Sequence, residues 1–273
     1  MEEVNLTSSI RQSLLSLEQA SKAREKSARH LATGLKVNDA VEEPVSYFQA
    51  KALSDRASDF LEAKDGIEQA ISAVEAASVG TEAMSEITRQ MRGIALSARG
   101  GSDEQRQAAS ERYDALRTQL DELAKDVSYN GVNLLQPNPD NLDVDLNDTG
   151  SSTVTIDGQA SDSSGLGISI ASFYNNFATD EDIDLATGGL SLATQALRSN
   201  AASFGSSVAL LSERSGFAFT LSNTLEEGAA KLVVADMNEE AARQLSSQVR
   251  QELTMTSLQI AGSSERSILQ LMS

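Results

Sequence analysis

Ala109, Tyr113, Leu116, Leu120, Leu123 and Val127 follow one another at gaps of 4, 3, 4, 3 and 4 residues. A strand repeats every second residue, so this heptad spacing demands a helix that lays a narrow apolar seam against other helices. Ser102-Asp-Glu-Gln105 opens the segment as a capping box, with Ser102 as N-cap and Gln105 reaching back. The pattern stops at Tyr129-Asn-Gly-Val132, where Asn130-Gly131 is a turn signal. Further stripes lie on both sides. Leu6, Ile10, Leu14, Leu17 and Leu31 line a segment over 4–33 that Gly34 ends. Ile67, Ile71, Val74, Met84, Ile87, Met91 and Ile94 line a second over 46–98, closed by Gly100-Gly101. Helical periodicity returns near Leu190, with Leu210, Phe217, Leu221, Leu225 and Leu232 as one stripe. A fresh start at Asp236–Glu240, with Asn238 as the expected cap, leads into Leu245, Val249, Leu253, Ile260, Ile268 and Leu271.

Residues 136–185 differ in kind. Between Asp140 and Leu185 there are ten acidic residues and no Lys or Arg, more than half of the net charge of −18. Thr153-Val-Thr-Ile-Asp-Gly158 alternates and ends in Asp-Gly, which reads as a strand and turn, with Gly167–Ile170 as its expected partner. The fold class is therefore mainly α: a long antiparallel helical bundle or coiled coil with a small β-hairpin-rich insert.

The charge argues against nucleic acid or an anionic membrane as partner. No apolar run approaches the length of a membrane span, so no membrane insertion is expected. Cysteine is absent, which removes disulfides and thiol chemistry, and the acidic, polar start lacks the basic and apolar regions of a cleaved secretory signal. His30 is the only histidine; a His-dependent triad is excluded within one chain, and His30 is expected on a helix surface. Asp140, Asp143, Asp145 and Asp148 do not follow a calcium-loop pattern and read as a solvated acidic loop. No phosphate-binding, dinucleotide-binding or zinc-protease motif occurs, so neither catalysis nor a cofactor is expected.

Each terminal segment carries a single apolar stripe, too little to offset the entropy of ordering it alone. Two outcomes stay open on pattern alone: an ordinary long-helix bundle, or self-assembly in which the termini order on neighbouring copies. Six basic residues against two acidic ones over 11–36 suit acidic neighbours in such an assembly.

Several blocks, in order, resemble bacterial flagellin. Leu31-Ala-Thr-Gly-Leu-Lys-Val-Asn38 is similar to the family's Leu-Ser-Ser-Gly-Leu-Arg-Ile-Asn. Ser85–Ala98 resembles the motif around Arg-Glu-Leu-Ala, and Tyr129–Leu135 the Phe-Asn-Gly turn. Ala235-Asp236 before a terminal amphipathic helix matches the C-terminal pattern, and Asp39–Tyr47 looks like the alphaproteobacterial branch. The resemblance covers about 1–135 and 190–273.

What the resemblance implies is a structural filament subunit outside the cell, exported unfolded and self-assembling into the tube used for swimming; a hook–filament junction protein or a secreted adhesin module are the alternatives. It implies an inner coiled coil from 1–36 and 237–273, a connector over 37–45 with the break at Gly34, Asn38 and Pro44, a helical rod from 46–135 and 186–236, and a surface insert over 136–185. The inner-helix residues Leu6, Ile10, Leu14, Leu17, Leu31, Leu245, Val249, Leu253, Ile260, Ile268 and Leu271 would carry assembly. Implied partners are further copies of the chain, an export chaperone, the filament cap and the hook–filament junction proteins. Gln90, Arg92, Gly93 and Ile94 stand where the family carries the segment read by its vertebrate Toll-like receptor, with Gly93 in place of a carboxylate. Ser151, Ser152, Thr153, Thr155, Ser161, Ser163 and Ser164 are either O-glycan acceptors, as in many flagellins, or polar turn residues.

Overall fold

The computed structural model describes residues 8–147 and 150–272, without the side chains of Ser9, Glu265 and residues 268–272. Five helices account for most of it: α1 (Ser8–Thr33), α2 (Pro44–Ser97), α3 (Asp103–Asp126), α4 (Asp180–Val233) and α5 (Met237–Met272). Two short strands, β1 (Leu142–Asp145) and β2 (Thr153–Ile156), and a 3-10 turn over Ala171–Phe177 lie between α3 and α4. The chain divides into two compact units, residues 56–223 and residues 1–55 with 224–273.

In the first unit the heptad of α3 does what its spacing demands. The capping box forms, with Ser102 Oγ accepting from the Gln105 amide and Gln105 Oε1 accepting from the Ser102 amide. Tyr113 and Leu120 are fully buried. They join Ile67, Val74, Met84 and Met91 of α2 and Ile183, Leu190, Leu197, Phe204 and Leu211 of α4 in one apolar core. The seam of α4 keeps its heptad beyond Leu211 with small residues, Ser215, Ala218 and Ser222, all buried. Leu210 and Phe217, expected on the core stripe, are about half exposed instead. The reason is close approach: Ser222 Oγ donates to the Ala57 carbonyl of α2 at 2.9 Å, and a large side chain on that seam would hold the helices apart.

Past α3 the chain reverses at Asn130 and Gly131, both with positive φ (48° and 84°), as a two-residue hairpin turn requires. Asn133 then terminates α3. Its Nδ2 donates to the carbonyls of Ala124 and Lys125, and its Oδ1 accepts from the amides of Leu135 and Gln136. The strand over Thr153–Ile156 forms, but its partner is β1, antiparallel, with Leu142 opposite Ile156. Gly167–Ile170 is not a strand. The chain from Ser163 to Ala171 is held to α3 by polar contacts: Asp121 accepts from the Ser163 amide and hydroxyl, Arg117 Nε donates to the Ile168 carbonyl, and Asp114 accepts from the Ala171 amide.

In the second unit α1 ends at Gly34, whose φ of +73° favours glycine and whose amide donates to the His30 carbonyl. The chain then pairs with the end of α4: Leu35 and Val234 form an antiparallel bridge, reinforced by Lys36 N–H to Val233 O and Ala235 N–H to Gly34 O. Asp39 Oδ1 accepts from the amides of Val41 and Glu42, and Pro44 occupies the first position of α2, where its missing N–H costs nothing. The cap of α5 is Asp236, not Asn238: Asp236 Oδ1 accepts from the amides of Asn238 and Glu239.

Candidate assembly surface

The pairing of α1 with α5 has an inverted polarity. The side of α5 that carries the contacts to α1 runs through Glu240, Gln244, Ser247, Gln251, Thr254 and Leu258, at gaps of 4, 3, 4, 3 and 4, all buried or half-buried. That is a coiled-coil seam in spacing and a polar one in chemistry. Across it, α1 presents Ile10, Ser13, Leu17, Ala20, Ser27 and His30. Arg24 donates to Gln251 Oε1 at 3.2 Å, and Ser13, Ser16, Thr254 and Ser257 line a shallow cleft of about 250 Å³.

Apart from Leu258 on the seam and Leu253 at the edge of that cleft, the large apolar residues of α5 lie away from α1. Leu245 is 62% exposed, Leu253 64% and Ile260 61%, with Val249 at 47%. On α1, Ile10 is buried, Leu17 and Leu31 are half-buried, and Leu14 and its neighbour Leu15 are exposed. Leu6 and the side chains of Ile268 and Leu271 lie outside the described residues.

His30 is not on the surface, as its place in a polar segment suggested. It is 4% exposed, and its Nδ1 lies 3.1 Å from Oε1 of Glu240, itself 5% exposed. Its Nε2 is buried without a partner among the described residues. Burial pushes the Glu240 carboxyl up, but hydrogen bonds from His30 and Ser27, with the charge of Arg243, hold it below the usual glutamate range. The carboxylate of one helix makes a buried histidine acceptable on the other, and two residues 210 apart in sequence give no local sign of the partnership.

Among the connector residues, the Asn38 amide donates to Glu42 and its Nδ2 to the Leu35 carbonyl, so Asn38 ties the turn on both sides. Gln90, Arg92 and Gly93 are exposed on α2, with Ile94 packed against the core. Of the seven hydroxyls in the insert, Ser151, Thr153, Thr155 and Ser164 are exposed and Ser152 is half-buried. Ser161 and Ser163 are buried, with hydroxyls donating to the Gln159 carbonyl and to Asp121, and have no room for a glycan. Asp143 accepts from Thr155 Oγ1 across the hairpin, Asp140 accepts from the Asn133 amide, and Asp148 lies outside the described residues. Among the described residues no helix is long and apolar enough to cross a membrane.

Two pairing helices drawn from opposite ends of one chain, with Leu245, Val249, Leu253 and Ile260 of the second exposed, define a mainly helical protein whose termini close on each other. Residues 4–139 match the family model for the bacterial flagellin N-terminal helical region, and the chain belongs to the bacterial flagellins. It is 30% identical over 159 residues to flagellin FljK of Caulobacter vibrioides, a match covering 58% of this chain and 57% of that one. It is 37% identical over 89 residues to flagellin A of Rhizobium meliloti, covering 33% and 22%, and 33% identical over 101 residues to a flagellin of Brucella melitensis, covering 37% and 36%. The matched stretch thus spans less than two thirds of these relatives.

Proposed function

We propose that the chain is the subunit of an extracellular flagellar filament and that it polymerises through the outward apolar faces of α1 and α5. Membership of the flagellin family supports the role. The observation that carries the surface is the inverted polarity of the pair: the strongest apolar stripe of α5 faces away from α1, and such residues need a partner to leave water. Residues 1–36 and 237–273 form the inner coiled coil, 37–45 the connector, 46–135 and 186–236 the rod, and 136–185 the outer insert. An export chaperone, the filament cap and the hook–filament junction proteins are the further partners this role brings.

Within that role the exposed hydroxyls of Ser151, Thr153, Thr155 and Ser164 suit O-glycosylation. Receptor recognition through Gln90, Arg92, Gly93 and Ile94 is weak, because Gly93 supplies no carboxylate. Electron microscopy of purified protein grown from filament seeds tests the main reading. Filaments are expected from the intact chain and none after removal of residues 237–273; a trimmed chain that still elongates would overturn it.

A further inference from the structure

The inverted polarity of α5 poses a problem of choice. Leu253 and Ile260, level with Leu17 and Ile10 of α1 in the register set by His30–Glu240 and by Ser13 beside Thr254, would leave water if α5 turned about its axis and packed them there. Hydrophobic burial alone favours that rotated arrangement. The backbone bridge between Leu35 and Val234 fixes where the two helices begin, but a bridge at one end leaves rotation about the helix axis free. Ser13, Ser247 and Thr254 on the facing sides are small and discriminate little between rotations. The hydrogen bond from Arg24 to Gln251 is exposed, where water can replace it, and one buried contact does discriminate. His30 and Glu240 are both more than nine-tenths buried and face each other at 3.1 Å, beside the bridge. Ser27 on α1 and Arg243 on α5 complete the cluster, Arg243 Nη1 lying 3.7 Å from the carboxylate. Rotating α5 would leave the imidazole and the carboxylate each without its partner, and orphaned polar groups in a buried site are strongly disfavoured.

We propose that His30 and Glu240 are positioning residues for assembly: their contact fixes which face of α5 turns to α1, and so keeps the apolar stripe outward for neighbouring copies. This rests on the filament reading, since the stripe matters only if copies cover it. The pair belongs with those buried polar contacts that select one arrangement of helices over another at some expense in stability.

The absence of cysteine makes the test clean. S13C/T254C reports the observed facing, because both residues line one cleft; S13C/T256C reports a rotated α5, because Thr256 is exposed and lies outside that cleft. Both pairs are placed in the full-length chain, with and without H30A/E240A, and added to wild-type filament seeds. In the otherwise wild-type chain only S13C/T254C is expected to cross-link. In the H30A/E240A background elongation is expected to fall at least about tenfold, with S13C/T256C linking as readily as S13C/T254C in the subunits that do add. E240Q keeps the hydrogen-bond acceptor and is expected to restore exclusive S13C/T254C linking. If H30A/E240A chains elongate slowly yet link only through S13C/T254C, the pair merely stabilises and the proposal is overturned. Wild-type elongation with mixed linking also overturns it, by separating facing from assembly. The filament reading is tested apart from this by V249E/L253E: normal elongation of that variant would sink the stripe as the assembly surface, whatever the cross-links show.

Discussion

Arg106 donates from Nη1 to the carbonyl of Phe177 at 2.9 Å and from Nη2 to Asp180 at 2.7 Å. Phe177 is fully buried with φ of +63°, a conformation a bulky L-residue rarely adopts. One guanidinium thus joins the start of α3, the strained end of the 3-10 turn and the first turn of α4. The same contact holds the Asp180 carboxyl below its usual range, although partial burial opposes it. Arg106→Ala leaves the Phe177 carbonyl unpaired. Counting the carbonyl contacts alone, it is expected to destabilise the 56–223 unit by about 2–4 kcal/mol in urea unfolding of the full chain. Arg106→Lys should recover less than half, because an ammonium cannot serve both partners as a planar fork does.

Gly80 sits inside α2, where glycine is normally unfavourable. A Cβ there would meet Val127 Cγ2 at 2.7 Å and Leu135 Cδ1 at 2.8 Å, so the glycine lets the end of α3 and the following turn pack on α2. Gly80→Ala gains up to about 1 kcal/mol of helix propensity. Overpacking against the fully buried Leu135 costs about 1–3 kcal/mol. A net loss of about 1–2 kcal/mol is expected, read as a lower Tm. A rise in Tm would show that the site has slack.

Tyr113 is fully buried, packed edge-to-face with Phe177 at 5.4 Å between ring centroids, and its hydroxyl has no partner among the described residues. Burial, with the nearby Tyr174 and Asp114, pushes that hydroxyl's pKa up. Removing an unsatisfied buried donor is favourable while the ring contacts persist. Tyr113→Phe should therefore raise unfolding stability by about 1 kcal/mol. A loss of that size would mean that a partner holds the hydroxyl.

Much of this architecture was legible in the sequence, and what was not has physical reasons. Helix α3, its capping box, the Gly34 stop and the Asn130-Gly131 turn rest on local chemistry, which a sequence displays directly. The partner of β2 was not legible, because Leu142-Asp-Val-Asp145 hides a strand among aspartates that turn to solvent while Leu142 and Val144 pack. On α4 side-chain size points to Leu210 and Phe217 as the seam, whereas Ser222 and Ala218 form it. The same preference for large apolar residues hides the polar seam of α5, and the burial of His30 depends on a carboxylate from the other end of the chain. These errors share a cause: hydrophobic pattern identifies a helix well, but which face meets its neighbour within the chain depends on contacts that periodicity does not encode.

The Glu240 carboxyl is held below its ordinary value of 4.5 in the folded chain. A group with a depressed folded-state pKa contributes stability that is fully present above the unfolded value and is lost as pH falls through the folded one. The groups facing it are His30 and Ser27 from α1 and Arg243 from α5. The protection of α1 and α5 amides against hydrogen exchange, relative to the unfolded-chain rate at each pH, should therefore be high at neutral pH and fall as the pH drops below about 4.5. Glu240→Gln should flatten that acid limb. An unchanged limb in the variant would assign the acid sensitivity to other carboxylates.

Leu253 and Thr254 are neighbours in α5 with different surroundings: Leu253 is 64% exposed, whereas Thr254 is half-buried on the seam with α1. A charge at Leu253 should leave the α1–α5 pair intact, since the side chain stays in water in the single chain. In a filament the same charge would have to enter an apolar contact between copies, where an unpaired carboxylate is strongly disfavoured. Leu253→Glu is therefore expected to leave the helix content of the soluble protein unchanged by circular dichroism. Its incorporation onto seeds, followed by light scattering, should drop at least about tenfold, a modest demand for an unpaired charge at a contact. Raising the salt should restore little, because the obstacle is desolvation of the carboxylate and not repulsion between distant charges, which salt would screen beyond about 8–10 Å. Near-normal elongation by Leu253→Glu would place the contacts between copies elsewhere on the helices.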